Sequence, residues 1–213
     1  MYLPERLLLD THREYLVDGL SGAVLDVGAG TGAMFPYFAR QMGNVETDAT
    51  GEGEIRTIDA IEPDPHMRRQ AEKRAANLDA SIRLAEGRAE SMPYADDAFD
   101  AVVASFVFCT IDDPHAAIDE IARVLKPGGE FRFVEHVRGE GTVGSVHDTL
   151  APAWHCVAGG CHLNRETGRL FQEHGAFTVL EYNRFDSGLT RALPIIRGVV
   201  RLRPKSLLSR VKR

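Results

Sequence analysis

The stretch Leu25-Asp26-Val27-Gly28-Ala29-Gly30-Thr31-Gly32-Ala33 decides the fold of this chain. A short apolar run at 23–27 leads into alternating glycines, which indicates a buried strand, a tight turn and the start of a helix. Glycines let the backbone adopt positive φ angles and approach a ligand closely. The free N–H groups at the start of a helix also favour a carboxylate or a phosphate. The stretch therefore predicts a strand–turn–helix unit that binds a ligand.

The same alternation of strands and helices recurs along the chain. We predict strands at 23–27, 57–61, 81–85, 100–106 and 130–137, and helices at 4–19, 33–42, 65–77 and 114–125. Such alternation implies right-handed crossovers and a parallel sheet with helices on both faces. A helix near 165–174 precedes two strands at 177–182 and 194–201, whose short connection favours an antiparallel hairpin. The predicted fold is α/β: a doubly wound, mostly parallel, seven-stranded sheet with a C-terminal antiparallel hairpin.

Residues 1–213 are interpreted as a single domain with four distinctive segments. These are an N-terminal helix within 1–20, a polar and glycine-rich flexible insertion at 43–56, a segment of different composition at 141–165, and a basic tail at 202–213. We interpret the tail as a solvated surface segment. Weak contact with an anionic membrane surface is the alternative.

Composition and charge restrict the partners of the chain. Hydrophobic residues make up 44% and charged residues 26%, which is close to the average of globular chains. A net charge of -6 argues against a nucleic-acid partner, because phosphate binding needs clustered positive charge, and favours a small molecule. The longest apolar run, at 101–109, is too short to span a membrane, and three cysteines do not suit a disulfide framework. We therefore expect a cytoplasmic protein without a transmembrane segment.

The glycine loop taken alone is compatible with two ligands. Gly28, Gly30 and Ala33 satisfy the dinucleotide pattern G-x-G-x-x-G/A, so a nicotinamide-dependent oxidoreductase is one alternative. Asp26, however, places a carboxylate where an ammonium group could bind and where a pyrophosphate would be repelled. The stretches 92–100 and 125–129 have no role in a dinucleotide fingerprint. A ligand with a methionine moiety fits this loop better.

Four stretches together resemble the successive motifs of class I S-adenosylmethionine-dependent methyltransferases. They are LDVGAGTG, the acidic end of IDAIEP, GRAESMPYADDAFD and VLKPGGEF, which follow one another within residues 22–137. The resemblance implies a Rossmann-like sheet, S-adenosylmethionine as the cofactor, a glycine loop that lines its methionine and ribose, and Glu62 as acceptor of hydrogen bonds from both ribose hydroxyls. The predicted cofactor contacts are Asp26, Gly28, Ala29, Gly30, Gly32, Glu62, Pro63, Arg88, Ala89, Glu90, Ser105 and Phe106.

Two features of the chain differ from the family pattern. Members often carry an aspartate for the adenine amine where this chain has Arg88, so we expect adenine to be bound by backbone groups of Arg88 and Ala89 or by Glu90. Phe106 and Val107 would supply the apolar walls. The spacing between the glycine loop and Glu62 is also longer than is usual, which the polar insertion explains.

The second half of the chain resembles a narrower group. FVEHV at 133–137, PAWH at 152–155 and GGCHLNR at 159–165 are similar to the methyltransferase-like subfamily whose animal members are thiol S-methyltransferases. His136 ends a central strand at the edge where ligands of such sheets bind, so we predict that it accepts a proton from a thiol or hydroxyl acceptor. A purely structural histidine is the alternative. The predicted acceptor-side residues are Cys109, Trp154, Cys161 and Asn164.

Two cysteines and two histidines within the segment 155–162 suggest a zinc site as an alternative. His155, Cys156, Cys161 and His162 are chemically competent ligands, but their spacing lacks the C-x-x-C knuckle. We therefore predict no metal and interpret the segment as pocket-lining.

The sequence thus predicts methyl transfer from S-adenosylmethionine to a small acceptor, with a thiol favoured and the segment 141–165 acting as a lid. Methyltransferases of quinones or phospholipid head groups are the nearest alternative, because they share the motifs of the first half. The nicotinamide-dependent oxidoreductase and a non-catalytic cofactor-binding module are more distant alternatives.

Overall fold

The computed structural model describes residues 3–43 and 55–204 of the chain. Within these residues one sheet contains β1 Gly22–Val27, β2 Ile55–Ile61, β3 Ile82–Ala85, β4 Phe99–Ser105, β5 Leu125–His136, β6 Phe177–Phe185 and β7 Ile195–Leu202. The α-helices are α1 Leu3–Val17, α2 Phe35–Gly43, α3 Pro65–Ala75, α4 Pro114–Val124, α5 Gly141–Val157 and α6 Thr167–Glu173. A 3-10 turn, Gly188–Thr190, precedes β7. Most of the predicted insertion at 43–56 and of the predicted tail at 202–213 lies outside the described residues.

The strand order confirms the predicted doubly wound sheet. The order is β3-β2-β1-β4-β5-β7-β6, with parallel pairing from β3 to β5. β7 is antiparallel to both β5 and β6, so the predicted hairpin is present with its second strand inserted beside β5. The strand order reverses between β1 and β4, since β2 and β3 lie on one side of β1 whereas β4 and β5 lie on the other. Ligands of open α/β sheets bind at such a switch point, beyond the carboxyl ends of the strands.

Alternating strand residues pack against helices on opposite faces of the sheet. Leu25 and Phe133 belong to a core cluster that also contains Ile118 of α4 and Phe171 of α6. On the other face, the cluster contains Val24, Ile58 and Val134 together with Phe35 and Phe38. Since the central strands are buried on both faces, only their carboxyl ends and the following loops are free to form a site.

Helix α5 is the element that the sequence analysis did not identify. Gly141, Gly144 and Pro152 lower the helix propensity of this stretch, so its pattern did not indicate a helix. Packing overrides that propensity: Gly144 is buried, and a Cβ atom there would lie 2.3 Å from the carbonyl oxygen of Gly139. The helix after the glycine loop also begins at Phe35 rather than at residue 33, because residues 31–34 form turns.

Candidate active site

A cleft of about 530 Å³ lies beyond the carboxyl ends of β1, β2 and β4. The structure brings together on its walls most of the predicted cofactor residues: Gly28, Ala29, Gly30, Glu62, Pro63, Arg88, Ala89, Glu90, Ser105 and Phe106. Val107, predicted as an apolar wall, also lines the cleft. Nine further wall residues were not predicted as cofactor contacts: Thr31, Ala33, Asp64, Met67, Gly87, Thr110, Ile111, Asp112 and Gly159. Thr31, Asp64 and Gly87 adjoin predicted contacts in the sequence, so proximity to a motif could have indicated them, whereas Gly159 comes from the loop after α5 and lies far from the cofactor motifs.

The glycine loop approaches the loop after β4 very closely. Gly28 has a φ of 68°, and a Cβ atom there would lie 2.6 Å from Cγ1 of Val107. A side chain at this position would therefore push the two cleft walls apart. Gly32 has a different role, because its added Cβ would meet the ring of Phe35 at 2.7 Å. It is a turn residue packed against α2 and is absent from the cleft wall.

Glu62 connects the loop after β2 to the glycine loop. Its Oε2 accepts a hydrogen bond from the backbone N–H of Gly30, and its Oε1 accepts one from that of Asp64, both at 2.8 Å. Each carboxylate oxygen has two acceptor directions, so these bonds leave capacity for hydroxyl donors in the cleft. The side chain is buried, which fixes it in position without help from a ligand.

Asp26, the next-to-last residue of β1, is buried without a cationic partner. Its Oδ2 has no hydrogen-bond partner. Burial and the nearby negative charge of Glu62 raise the pKa of Asp26 to about 8. A charged group in such surroundings is costly unless it is paired. The ammonium group of an amino-acid ligand would supply the missing charge, so the residue fits a cofactor with a methionine moiety although it does not line the cleft wall itself.

Two side chains of the GRAESMPYADDAFD motif, those of Arg88 and Glu90, connect the loop that carries them to the loop of Asp112. The guanidinium of Arg88 contacts Glu90 at 3.2 Å and Asp112 at 2.5 Å, and Glu90 also accepts a hydrogen bond from the backbone N–H of Asp112 at 3.1 Å. Arg88 therefore brings the carboxylate of Asp112 beside the cleft, where family members often have an aspartate in the motif itself. Sequence reasoning missed Asp112 because it lies 24 positions away.

The turn after β4, at residues 106–110, is held in place by the buried carboxylate of Glu135. Oε1 of Glu135, in β5, accepts hydrogen bonds from the backbone N–H groups of Val107 at 2.8 Å and Phe108 at 3.0 Å. The preceding residue, Phe106, has a φ of 58°, which is rare for a non-glycine residue. Burial raises the pKa of Glu135 to about 7, although the two N–H groups oppose this shift. The guanidinium of Arg165 closes the turn from the side, donating to the carbonyl oxygens of Phe108 and Ile111 at 2.6 Å.

Two predicted acceptor-side residues, Cys109 and Cys161, meet the predicted catalytic residue His136 next to this turn. Sγ of Cys161 lies 3.8 Å from both ring nitrogens of His136, and the side chains of Cys109, His136 and Cys161 place their donor atoms within 4.8 Å of one another. Contact with Cys109 and with His136 lowers the pKa of Cys161 to about 4. The hydrogen bond to Cys161 and burial raise the pKa of Cys109.

An apolar groove of about 430 Å³ lies along α5. Val146, Leu150 and Trp154 follow one another at helical spacing on its wall, opposite Leu163 and Leu193. Val146 is 53% exposed and Leu150 49% exposed, which is high for apolar side chains. The groove was not predicted because its helix was not.

Two polar residues near the groove have structural contacts. His147 anchors α5: its Nδ1 accepts from the N–H of Gly139 at 3.0 Å, and its Nε2 lies 2.9 Å from the carbonyl oxygen of Ala192. Asn164, which was predicted to contact the acceptor, instead directs its amide toward Asp148 at 3.4 Å and lines neither the cleft nor the groove.

The family described as "Methyltransferase domain" matches residues 25–133 of the chain. The chain belongs to the S-adenosylmethionine-dependent methyltransferases. The predicted family, enzyme class and cofactor are thereby confirmed. YcgJ of Bacillus subtilis, a solved structure, superposes on this methyltransferase with a TM-score of 0.69 at 18% identity, over 92% of this chain and 97% of that chain. That likeness confirms the fold.

Two curated relatives differ in their methyl acceptors. The thiol S-methyltransferase TMT1A of Homo sapiens is 29% identical to this methyltransferase, over 79% of this chain and 65% of that relative. The phosphatidylethanolamine N-methyltransferase of Cereibacter sphaeroides is also 29% identical, over 63% of this chain and 61% of that relative. The chain therefore spans less than two thirds of either relative. No helix among residues 3–43 and 55–204 is long and apolar enough to cross a membrane.

Replacing Glu135 with alanine should destabilise this methyltransferase by about 2–4 kcal/mol, because two buried N–H groups lose their acceptor. Glu135→Gln keeps an acceptor oxygen and should cost roughly 1 kcal/mol or less. Urea unfolding at constant pH measures both values. Equal losses for the two variants would show that the hydrogen bonds to the turn are not what Glu135 contributes.

The raised pKa of Asp26 predicts a pH-dependent effect of Asp26→Asn. The folded pKa is about 8 and the unfolded one about 3.9, so the native state holds an extra proton and loses stability as pH rises between these values. Asparagine removes this dependence. The cofactor-free variant should therefore gain stability relative to the original protein between pH 5 and pH 8.5, as thermal unfolding would measure.

The same variant should bind S-adenosylhomocysteine more weakly by about 1–3 kcal/mol, because the ligand ammonium loses its carboxylate. Calorimetry measures this affinity. Asp79→Asn, at an exposed acid outside the cleft, is the matched control and should change neither quantity. An unchanged affinity in Asp26→Asn would remove Asp26 from the cofactor site.

Proposed function

We propose that this methyltransferase transfers the methyl group of S-adenosylmethionine to the sulfur of a small, apolar thiol. The proposal rests mainly on one observation: residues 159–163 run from the cofactor cleft, past His136, to the apolar groove. Gly159 lines the cofactor cleft, Cys161 contacts His136, and Leu163 lines the apolar groove. One short segment thus joins the place for the cofactor, a group of sulfur and imidazole side chains, and the place for an apolar chain.

The cofactor side requires binding and orientation. When bound, S-adenosylmethionine supplies a methyl group that its sulfonium charge already activates. The residues that would hold it are Asp26 at the ammonium group, Glu62 at the ribose hydroxyls, and the walls formed by Phe106 and Val107 at the adenine. Arg88 and Ala89 offer backbone groups to the adenine edge, and Asp112 adds a carboxylate beside them. Correct orientation alone can supply roughly 7–11 kcal/mol of the barrier.

The acceptor side needs little basicity. A thiol with a pKa of about 8.5 is partly ionised near neutral pH, so no strong base is required. Cys109, His136 and Cys161 form the polar end of the path, and we propose that they position the acceptor sulfur. The apolar part of the acceptor would lie along Val146, Leu150 and Trp154.

The segment 141–165 is proposed as the lid of the site. Arg165 and the backbone of His162 attach its C-terminal end to the turn after β4, with the N–H of His162 2.7 Å from the carbonyl oxygen of Cys109. His147 attaches its helix to the segments before α5 and before β7. Between these attachments the exposed face of α5 is free to contact an acceptor.

Methylation of a phospholipid head group is the second candidate. The exposed apolar residues of α5, which include Val157 at 81%, would suit contact with acyl chains, and one curated relative is named for phosphatidylethanolamine. The cysteine and histidine side chains favour the thiol, because a head-group amine would require no soft sulfur ligands.

A panel of acceptors decides between these candidates. With labelled cofactor, we expect methyl transfer to alkyl thiols and none to quinols or ethanolamine lipids. His136→Ala should lower kcat with the thiol roughly 10- to 100-fold, because the acceptor sulfur loses its position, and leave S-adenosylhomocysteine affinity unchanged. His115→Ala, at an exposed position of α4, is the matched control. Absence of thiol turnover would contradict the proposed acceptor.

The groove predicts a dependence on chain length. Val146→Ser and Leu150→Ser should raise KM for hexanethiol by roughly 3- to 10-fold, since about 0.8 kcal/mol is lost for each methylene group no longer buried. KM for the small polar 2-mercaptoethanol should change little. Leu180→Ser removes an exposed leucine on β6 outside the groove and should leave both values unchanged. Equal effects on both thiols would argue against acceptor binding in this groove.

A further inference from the structure

Two cysteines and a histidine from three separate elements converge in this methyltransferase. Cys109 lies in the turn after β4, His136 ends β5, and Cys161 follows α5. Among the residues that the structure describes, the donor atoms of Cys109, His136 and Cys161 lie close enough together to hold a metal ion. This group differs from the set His155, Cys156, Cys161 and His162 suggested by sequence spacing, because the exposed Cys156 is not part of it.

The distances within this group suit a tetrahedral ion. Zinc bonds of about 2.3 Å to sulfur and about 2.0–2.1 Å to nitrogen place neighbouring ligand atoms about 3.4–3.8 Å apart. Cys161 Sγ lies 3.8 Å from the ring nitrogens of His136, and all three donor atoms lie within 4.8 Å of one another. Two thiolates and one imidazole are ligands that zinc prefers.

The surroundings also favour a cation. His136 and Cys109 are buried, and the carboxylate of Glu135 next to them has an oxygen without a hydrogen-bond partner. Two thiolates neutralise the charge of a zinc ion, so the complex could be buried without a net charge. The hydrogen bond from His162 N–H to Cys109 O fixes the backbones of both cysteine segments relative to each other before any ion binds.

We propose that Cys109, His136 and Cys161 bind a zinc ion, whose fourth coordination position takes the acceptor thiol as a thiolate. The role of this zinc site rests on the proposed function, in which the acceptor is a thiol. His136 then acts as a zinc ligand rather than as a base. Three protein ligands with an open fourth position are typical of catalytic rather than structural zinc. Cys109 is two residues from Val107 on the cleft wall, and Cys161 lies between Gly159 on the cleft wall and Leu163 on the groove wall. We therefore place the open position between the cleft and the groove.

The chemical step balances without an oxidant or reductant. The acceptor thiol loses its proton to solvent when its sulfur coordinates zinc. An electron pair of that sulfur forms the new S–CH3 bond, while the bond from the methyl carbon to the sulfonium sulfur breaks and its electron pair stays on that sulfur. The products are a methyl thioether and S-adenosylhomocysteine, both uncharged at sulfur. A thioether binds zinc less well than a thiolate does, so the product leaves.

Metal content tests the site directly. The full chain, produced with zinc in the medium and then gel-filtered, should contain about one zinc per chain by mass spectrometry of the metal. Cys109→Ser and Cys161→Ser should each reduce this content at least about tenfold, and Cys156→Ser should retain it, since Cys156 is exposed and outside the group. S-adenosylhomocysteine calorimetry checks that each variant is folded. Zinc that is absent from the original protein, or lost equally in Cys156→Ser, would overturn the proposal.

Alkylation of the unmodified protein gives a test that does not depend on variants. With zinc bound, Cys156 should react with iodoacetamide while Cys109 and Cys161 are protected, and a chelator should expose both together. Protection that does not change with the chelator, or a Cys109–Cys161 disulfide in the purified protein, would contradict a zinc site.

Cobalt substitution tests the open position separately from turnover. Cobalt in place of zinc should show thiolate charge-transfer absorption, and hexanethiol should alter it. An unaltered spectrum would overturn the fourth-position role. Bound zinc without any thiol turnover would contradict the proposed acceptor and retain the metal site, whereas full thiol turnover in zinc-free protein would contradict the zinc and retain the acceptor.

Discussion

The hydrogen bonds from the turn after β4 to the carboxylate of Glu135 are the constraint on which both halves of the site depend. They fix the backbone of Val107 and Phe108, and with it the left-handed conformation of Phe106. One side of this turn forms a wall of the cofactor cleft, and one of its residues, Cys109, belongs to the group with His136 and Cys161. Because Glu135 and His136 are consecutive in β5, the same strand end supports the turn and supplies the imidazole beside it.

The core beside the site contains two buried carboxylates. Glu135 and Asp26 are both carboxylates inside the core, and burial raises the pKa of each. Each has one oxygen without a hydrogen-bond partner, but Oε1 of Glu135 accepts from two backbone N–H groups. An uncompensated buried carboxylate is typical of a ligand site, because the energy that it costs in the free protein is recovered when a cation binds. Glu135 therefore supports the fold, whereas Asp26 is placed to bind a cationic ligand.

The sequence predicted what depends on local pattern. Strand periodicity and the glycine loop identified the order of the sheet elements and the residues around Glu62, because strand ends of a parallel sheet meet at one edge. It did not predict α5, since Gly141, Gly144 and Pro152 oppose a helix that packing nevertheless stabilises. It placed Cys109, His136 and Cys161 at the acceptor but did not predict that their side chains would contact one another, because the elements that carry them are joined by long-range bonds of Arg165 and His162.

The part of the chain that matches the family and the part that forms the proposed acceptor site lie in different regions of the sheet. The family match ends at residue 133, just before Glu135 and His136, and so covers the strands that form the cofactor cleft. Cys161 and most of the groove wall belong to the connection between β5 and β6, and Ala192 and Leu193 of the groove to that between β6 and β7, all outside that match. A connection beyond the cofactor half can change its length and side chains without changing the pairing of β1, β2 and β4, because it lies outside those strands. Relatives with similar cofactor halves can therefore differ in their acceptors, and acceptor chemistry has to be inferred from Cys109, His136, Cys161 and α5.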